Sequence, residues 1–172
     1  MTFPFQPAST FVCVGLSIRE FVNWRICGSC QLVLRLLWYN ILVTEQEKLR
    51  RQRFRAELEA RTVKFAADVH RLTQRVHGDE FKNFRFQIGK SSSSIGANYH
   101  EANRAESVAD FIHKIGIALK EAEETVFWLR YLIDILPELE GVDEAFNECT
   151  ELVKILQTIK TKTQKRSRPA GI

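Results

Sequence analysis

Glycine and proline are scarce, with eight and four in 172 residues. So few turn formers argue against a turn-rich sheet protein and favour long uninterrupted helices. Cysteine is sparse too. Cys27-Gly-Ser-Cys30 is a lone C-x-x-C with no second pair and no nearby histidine. Zinc needs four ligands and a redox pair a βαβ setting, so this pair reads as incidental. Cys149 falls on an apolar helix stripe and reads as core, and four free thiols fit a reducing cytoplasm. Nucleophile elbows and phosphate-binding glycine loops are missing as well. What remains is globular: 45% hydrophobic and 27% charged, on a chain long enough for one domain with a real core.

The net charge of +4 hides a polarised distribution. Lys48 to Lys90 carries twelve Lys or Arg against five Asp or Glu, a balance of 12 − 5 = +7. Glu101 to Glu151 carries four against thirteen, 4 − 13 = −9, and Lys160 to Arg168 adds five cations and no acid. Two readings stay open: three solvated helix faces, or a head-to-tail subunit contact in which one copy's basic surface meets another's acidic one.

Residues 1–43 differ from the rest, with Phe3, Phe5, Phe11, Phe21, Trp24, Trp38 and Tyr39 but only four charges. Residues 26–43 are mostly apolar, yet Arg35 sits mid-run. An arginine there costs about 2.5–3.5 kcal/mol on insertion scales, so the segment makes a poor membrane span. It also lacks the basic start and small-residue cleavage site of a secretory signal. The reading is an atypical extension outside the working domain, upstream of a true start near Val43. Thr44-Glu-Gln-Glu47 has the pattern of a capping box that would open the domain.

Four helices are expected across 44–160. The first, Glu45 to Val76, repeats Leu58, Thr62, Phe65, Val69, Leu72 and Val76 at four-three spacing and stops at Gly78. Asp79 can cap the second, Glu80 to Ala105, with the seam Phe81, Phe84, Ile88, Ser91, Ile95, Asn98 and Ala102. Gly96 there costs about 1 kcal/mol of helix propensity, which close helix packing would offset. Ser107-Val-Ala-Asp110 caps the third, which carries the ladder Val108, Ile112, Ile115, Leu119, Ala122, Val126 and Leu129. Beside it runs the row Phe111, Ala118, Thr125 and Leu132, and Pro137 ends the helix. The fourth runs from Val142 to Lys160 over Val142, Phe146, Cys149, Val153, Leu156 and Ile159. Residues 161–172 are charged, lack apolar periodicity and read as a disordered basic tail. Short links make consecutive helices antiparallel neighbours, so the fold class is all-α, an up-down-up-down four-helix bundle with left-handed supercoil.

The words S-I-G-A-N-x-x-E-A at 94–102, A-D-F-I-H-K at 109–114 and L-K-E-A-x-E-T-x-x-W-L at 119–129 resemble one family. It is the bacterial four-helix-bundle family first met as proteins encoded in intervening sequences of 23S ribosomal RNA genes. The accessory protein of diversity-generating retroelements resembles that family in fold. The resemblance implies a homo-oligomeric ring, typically of five copies. For the retroelement branch it also implies binding of nucleic acid and of a reverse transcriptase. This chain is more similar to the intervening-sequence branch, for which no activity is implied.

Read for chemistry, the residues point away from catalysis, cofactors and metals. Di-metal bundles need two Glu-x-x-His units, and Asp110-Phe-Ile-His113 stands alone. Glu121, Glu123 and Glu124 lack the cleft and partner that a general acid requires. Asn98 on the apolar seam reads as a polar contact that fixes helix register, with a ligand pocket as the alternative, and Glu101 and Arg104 as a pair on one face. For nucleic acid the candidates are Arg50, Arg51, Arg53, Arg55, Arg61 and Lys64 on the first helix and Lys82, Arg85 and Lys90 on the second. The tail adds Lys162, Lys165, Arg166 and Arg168. Clustered cations bind phosphate by counterion release, and without exposed stacking platforms such binding would be weak in sequence preference. Two functions follow: an oligomeric accessory module for structured RNA or a reverse-transcriptase-type nucleoprotein, or a structural, protein-binding oligomer.

Overall fold

The structure is a computed structural model that describes the backbone of residues 28–167 and the side chains of residues 39–167. Its elements are α1 (Gly28–Thr73), a 3-10 turn (Asp79–Phe81), α2 (Lys82–Ala102), α3 (Val108–Ile135) and α4 (Val142–Ser167). Two compact units divide the chain, Met1–Lys48 and Leu49–Ile172. In the first, the described side chains of Tyr39, Ile41 and Leu42 are exposed. Cys13, Cys27, Cys30 and the early aromatics lie outside the residues with described side chains.

The second unit is the four-helix bundle. Its α1 seam is the expected one, since Leu58, Thr62, Phe65, Val69, Leu72 and Val76 are all buried. On α3 the buried stripe merges the two expected rows: Ile115, Ala118, Leu119, Ala122, Thr125, Leu129 and Leu132. Val108, expected on that ladder, is 55% exposed, because it is the first residue of α3 and the core begins a turn later. On α2, Tyr99 is buried although the expected seam omitted it. Its ring fills the core, and desolvation raises its phenol pKa, so this group stabilises the fold below its ordinary pKa and loses that effect as pH rises.

Helix ends agree with expectation where a local signal is strong. Ser107 accepts from the Asp110 N–H at 3.1 Å, and α3 stops just before Pro137. Elsewhere tertiary context decides. The capping box at Thr44 does not form, because α1 is continuous through it. The Thr44 hydroxyl donates back to the Asn40 and Ile41 carbonyls instead. Nor does Asp79 cap α2. The 3-10 turn starts after Gly78 (φ 114°), and Arg85 donates to the Val76 and Gly78 carbonyls at 2.8 and 3.0 Å. The tail expected to be coil from residue 161 is helical as far as Ser167. Thr161 and Thr163 are half-buried there, and Thr163 donates to the Ile159 carbonyl, so packing continues where apolar periodicity stops. Arg168 and the residues after it lie outside the described ones.

Two close contacts tie helices together. A Cβ on Gly96 would sit 3.3 Å from Thr62 Oγ1, so the glycine is what lets α2 approach α1. The buried Thr125 and Ser91 hydroxyls, 2.9 Å apart, join α3 to α2. Among the described residues no buried side-chain polar atom lacks a partner.

Cys149 is buried, with its thiol 3.4 Å from the Ala122 carbonyl, and burial pushes its pKa up to about 12. A raised thiol pKa stabilises the fold below its usual value, an effect lost as pH climbs toward 12. In a full-length chain with Cys13, Cys27 and Cys30 replaced by Ser, this thiol is expected to resist a disulfide reagent at about pH 8. It should react at the rate of unfolding. Rapid labelling of the folded chain would show that this part of the core opens readily.

Candidate nucleic-acid interface

Arg61 sets the register of α1 against α4. Its Nε and Nη2 donate to the two Glu148 carboxylate oxygens at 2.6 and 2.8 Å, and this bond to Glu148 is what raises the guanidinium pKa. The pair is about two-fifths exposed, so its worth is on the order of 1 kcal/mol. Toward the other end, Arg75 donates to the Glu140 carbonyl at 2.8 Å. The helices are thus antiparallel neighbours, and the arginines before Arg61 lie at the same end of the bundle as the residues after Glu148.

That geometry brings two distant basic stretches together. Residues 49–57 of α1 are all exposed, and Arg50, Arg53 and Arg55 form no ion pair with a described residue. Near the end of α4, Lys162, Lys165 and Arg166 are exposed and equally unpaired among described residues. The C-terminal end of α2 joins them. Glu59 on α1 accepts from Asn103 at 2.9 Å and lies 3.4 Å from Arg104 and 3.6 Å from His100. Arg55 lies close enough to Tyr99 for its charge to favour the phenolate form, against the larger effect of burial. Acids lie on either side of the arginines: Glu57 follows them, and Glu47 and Glu45 precede them, Glu45 lying 3.9 Å from Lys48.

Other candidates are held elsewhere. Lys64 is engaged by Asp68 at 2.7 Å, and this bond, reinforced by Arg71, holds the Asp68 carboxyl below the usual range. Arg61 is engaged by Glu148 and Arg85 by the carbonyls of the α1–α2 turn. Lys82 and Lys90 are exposed but sit toward the start of α2, roughly 30 and 20 Å along the helix from Asn103.

The polar motif is also rearranged. Asn98 fixes no neighbouring helix; its amide donates to the Ser94 carbonyl of its own helix at 2.9 Å. Glu101 does not pair with Arg104. It binds Lys114 of α3, and Arg104 turns to Glu59 and the His100 carbonyl. The expected pairing assumed helix through Ala105, but α2 ends at Ala102, so Arg104 lies beyond it and the two side chains find partners on other helices. Sequence reading missed Glu59 as the acceptor, and an acid surrounded by cations carries no periodic signal.

Between α1 and α4 lies an open groove of about 630 Å³, floored by Phe65, Leu72 and Ala145. Among the described residues no group of His, Cys, Asp and Glu could hold a metal ion, and no helix is long and apolar enough to cross a membrane.

These features define a class: a four-helix bundle with a basic end and no assembled catalytic constellation among the described residues. The chain belongs to the 23S rRNA-intervening sequence protein family, whose profile matches residues 56–158. It is similar to a crystal structure of a protein with unknown function from the S23 ribosomal protein family of Bacteroides thetaiotaomicron VPI-5482. The two are 36% identical, the match covers 59% of this chain and 96% of that one, and the TM-score is 0.55. No curated protein matches. Arg50 to Arg55 and Lys162 to Arg166 fall just outside the family match, one at each end of it.

Proposed function

We propose that this chain is a non-catalytic, homo-oligomeric accessory protein that binds structured RNA, alone or within a nucleoprotein, through the basic end of its bundle. One observation carries the reading: the antiparallel pairing of α1 with α4 places exposed Arg50, Arg53 and Arg55 at the same end as Lys162, Lys165 and Arg166. Clustered cations are what phosphate backbones bind, chiefly through counterion release. Among the described residues no groove-reading element accompanies them, so shape and charge rather than base sequence would govern the choice of RNA.

Filter binding to a structured RNA over a range of salt concentrations tests this. Affinity is expected to fall linearly in log–log form and to vary little among sequences of the same fold. Failure to bind at low salt, or a salt-independent affinity, would remove the reading. The protein-binding alternative is favoured by a different observation, an exposed aromatic ledge on α3.

A further inference from the structure

On the edge of α3 that faces α2, four rings form one cluster. Trp128 meets Phe127 and Tyr131 edge-on at 5.1 and 6.2 Å between centroids, and Phe84 of α2 backs the group at 5.9 Å from Trp128. Phe84 is buried, but Phe127 is 60% and Tyr131 43% exposed. The indole N–H donates to Glu124 at 3.2 Å, which anchors the ring. Solvated aromatics side by side on a bundle are not needed for its core and mark a contact surface. Its rim is acidic: Glu123 and Glu124 are exposed, and the neighbouring Arg130 is already engaged by Asp134 at 3.6 Å. Carboxylates at the rim repel phosphate, so this ledge is not a second RNA surface. Aromatic faces flanked by carboxylates instead suit guanidinium groups and apolar side chains.

The chain itself carries such a segment. In Leu49–Arg55, Leu49 and Phe54 are 49% and 47% exposed and flank Arg50 and Arg53. Within one copy the two surfaces are far apart. Phe84 lies nineteen helical residues from Asn103, which meets α1 at Glu59, so roughly 28 Å of bundle separates ledge and strip. We infer that a second copy of this chain docks its Leu49–Arg55 strip on the α3 ledge, with Leu49 and Phe54 against the rings and Arg50 and Arg53 against Glu123 and Glu124. The contact joins unlike surfaces, so it propagates head to tail and closes only when the rotation permits. It rests on the oligomeric part of the reading above and not on RNA. Because one strip cannot serve both, RNA and a neighbouring copy exclude each other there.

The test is sedimentation velocity on the RNA-free full-length chain, with circular dichroism to confirm helicity. Wild type is expected to associate. A ledge variant, Glu123→Arg with Glu124→Arg, and a strip variant, Arg50→Glu with Arg53→Glu, should each raise the dissociation constant on the order of tenfold or more. An equimolar mixture of the two should regain association, because a negative strip then meets a positive ledge. Phe127→Ser with Tyr131→Ser should weaken assembly without altering charge. A monomeric wild type would overturn both the oligomer and this interface. Variants that assemble like wild type, or a mixture that stays dissociated, would overturn the interface alone and leave the oligomer and RNA readings standing.

Discussion

Replacing Arg50, Arg51, Arg53 and Arg55 together with Gln is expected to lower affinity for structured RNA by on the order of a hundred- to a thousand-fold at about 0.1 M salt. Each lost phosphate contact removes about 0.7–0.9 from the log–log salt slope, so four contacts flatten it by roughly 3. The substitutions touch no buried side chain, since residues 49–57 are all exposed, and glutamine is as good a helix former as arginine. Replacing Lys162, Lys165 and Arg166 should act in the same direction. Lys82 and Lys90, roughly 30 and 20 Å along α2 from Asn103, should contribute little. Filter binding at several salt concentrations measures all of these, with circular dichroism as the control for folding. A helical quadruple variant that binds like the parent at every salt concentration would mean the arginines are a solvated surface, and the protein-binding reading would then lead.

Leu129→Ala is expected to cost about 2–5 kcal/mol, the combined loss of transfer free energy and of packing around the cavity left behind. Leu129 is fully buried in the α3 stripe. Against a typical total of about 5–15 kcal/mol, that single change could leave the bundle marginal. Val108→Ala, at another position of the same four-three ladder, should cost within about 0.5 kcal/mol, because Val108 is more than half exposed. Urea titrations followed by helical circular dichroism compare the two. Equal losses would show that something covers Val108 in solution, and a second copy would be the first candidate.

The contrast between those residues shows which parts of the fold were legible. Long four-three ladders made the helices and their buried faces readable, since burial of one stripe is the main force that keeps an amphipathic helix in a bundle. Ser107 and Pro137 marked their helix boundaries because each acts through its own backbone. Thr44 and Asp79 misled, because a capping pattern competes with continuation of the helix, and the winner depends on the neighbouring residues. The helical stretch from residue 161 to Ser167 was hidden because Lys, Thr and Gln there show no apolar period.

By itself, the amino-acid order determined an all-α bundle, the composition of its core and the polarity of its charge along the chain. Those properties follow from spacing and from the side chains alone. Which cations remain available was decided only when the helices packed. Arg61 and Arg85 are tied to Glu148 and the turn carbonyls, whereas Arg50, Arg53 and Arg55 form no ion pair with a described residue; Lys64 is the exception, held by Asp68 four residues on in the same helix. The same packing set residues 50–55 beside the end of α4 and gathered the rings of Phe84, Phe127, Trp128 and Tyr131 on one edge. Pairing of charges and grouping of rings depend on distances across helices, and linear spacing does not encode which face of one helix will meet which face of the next.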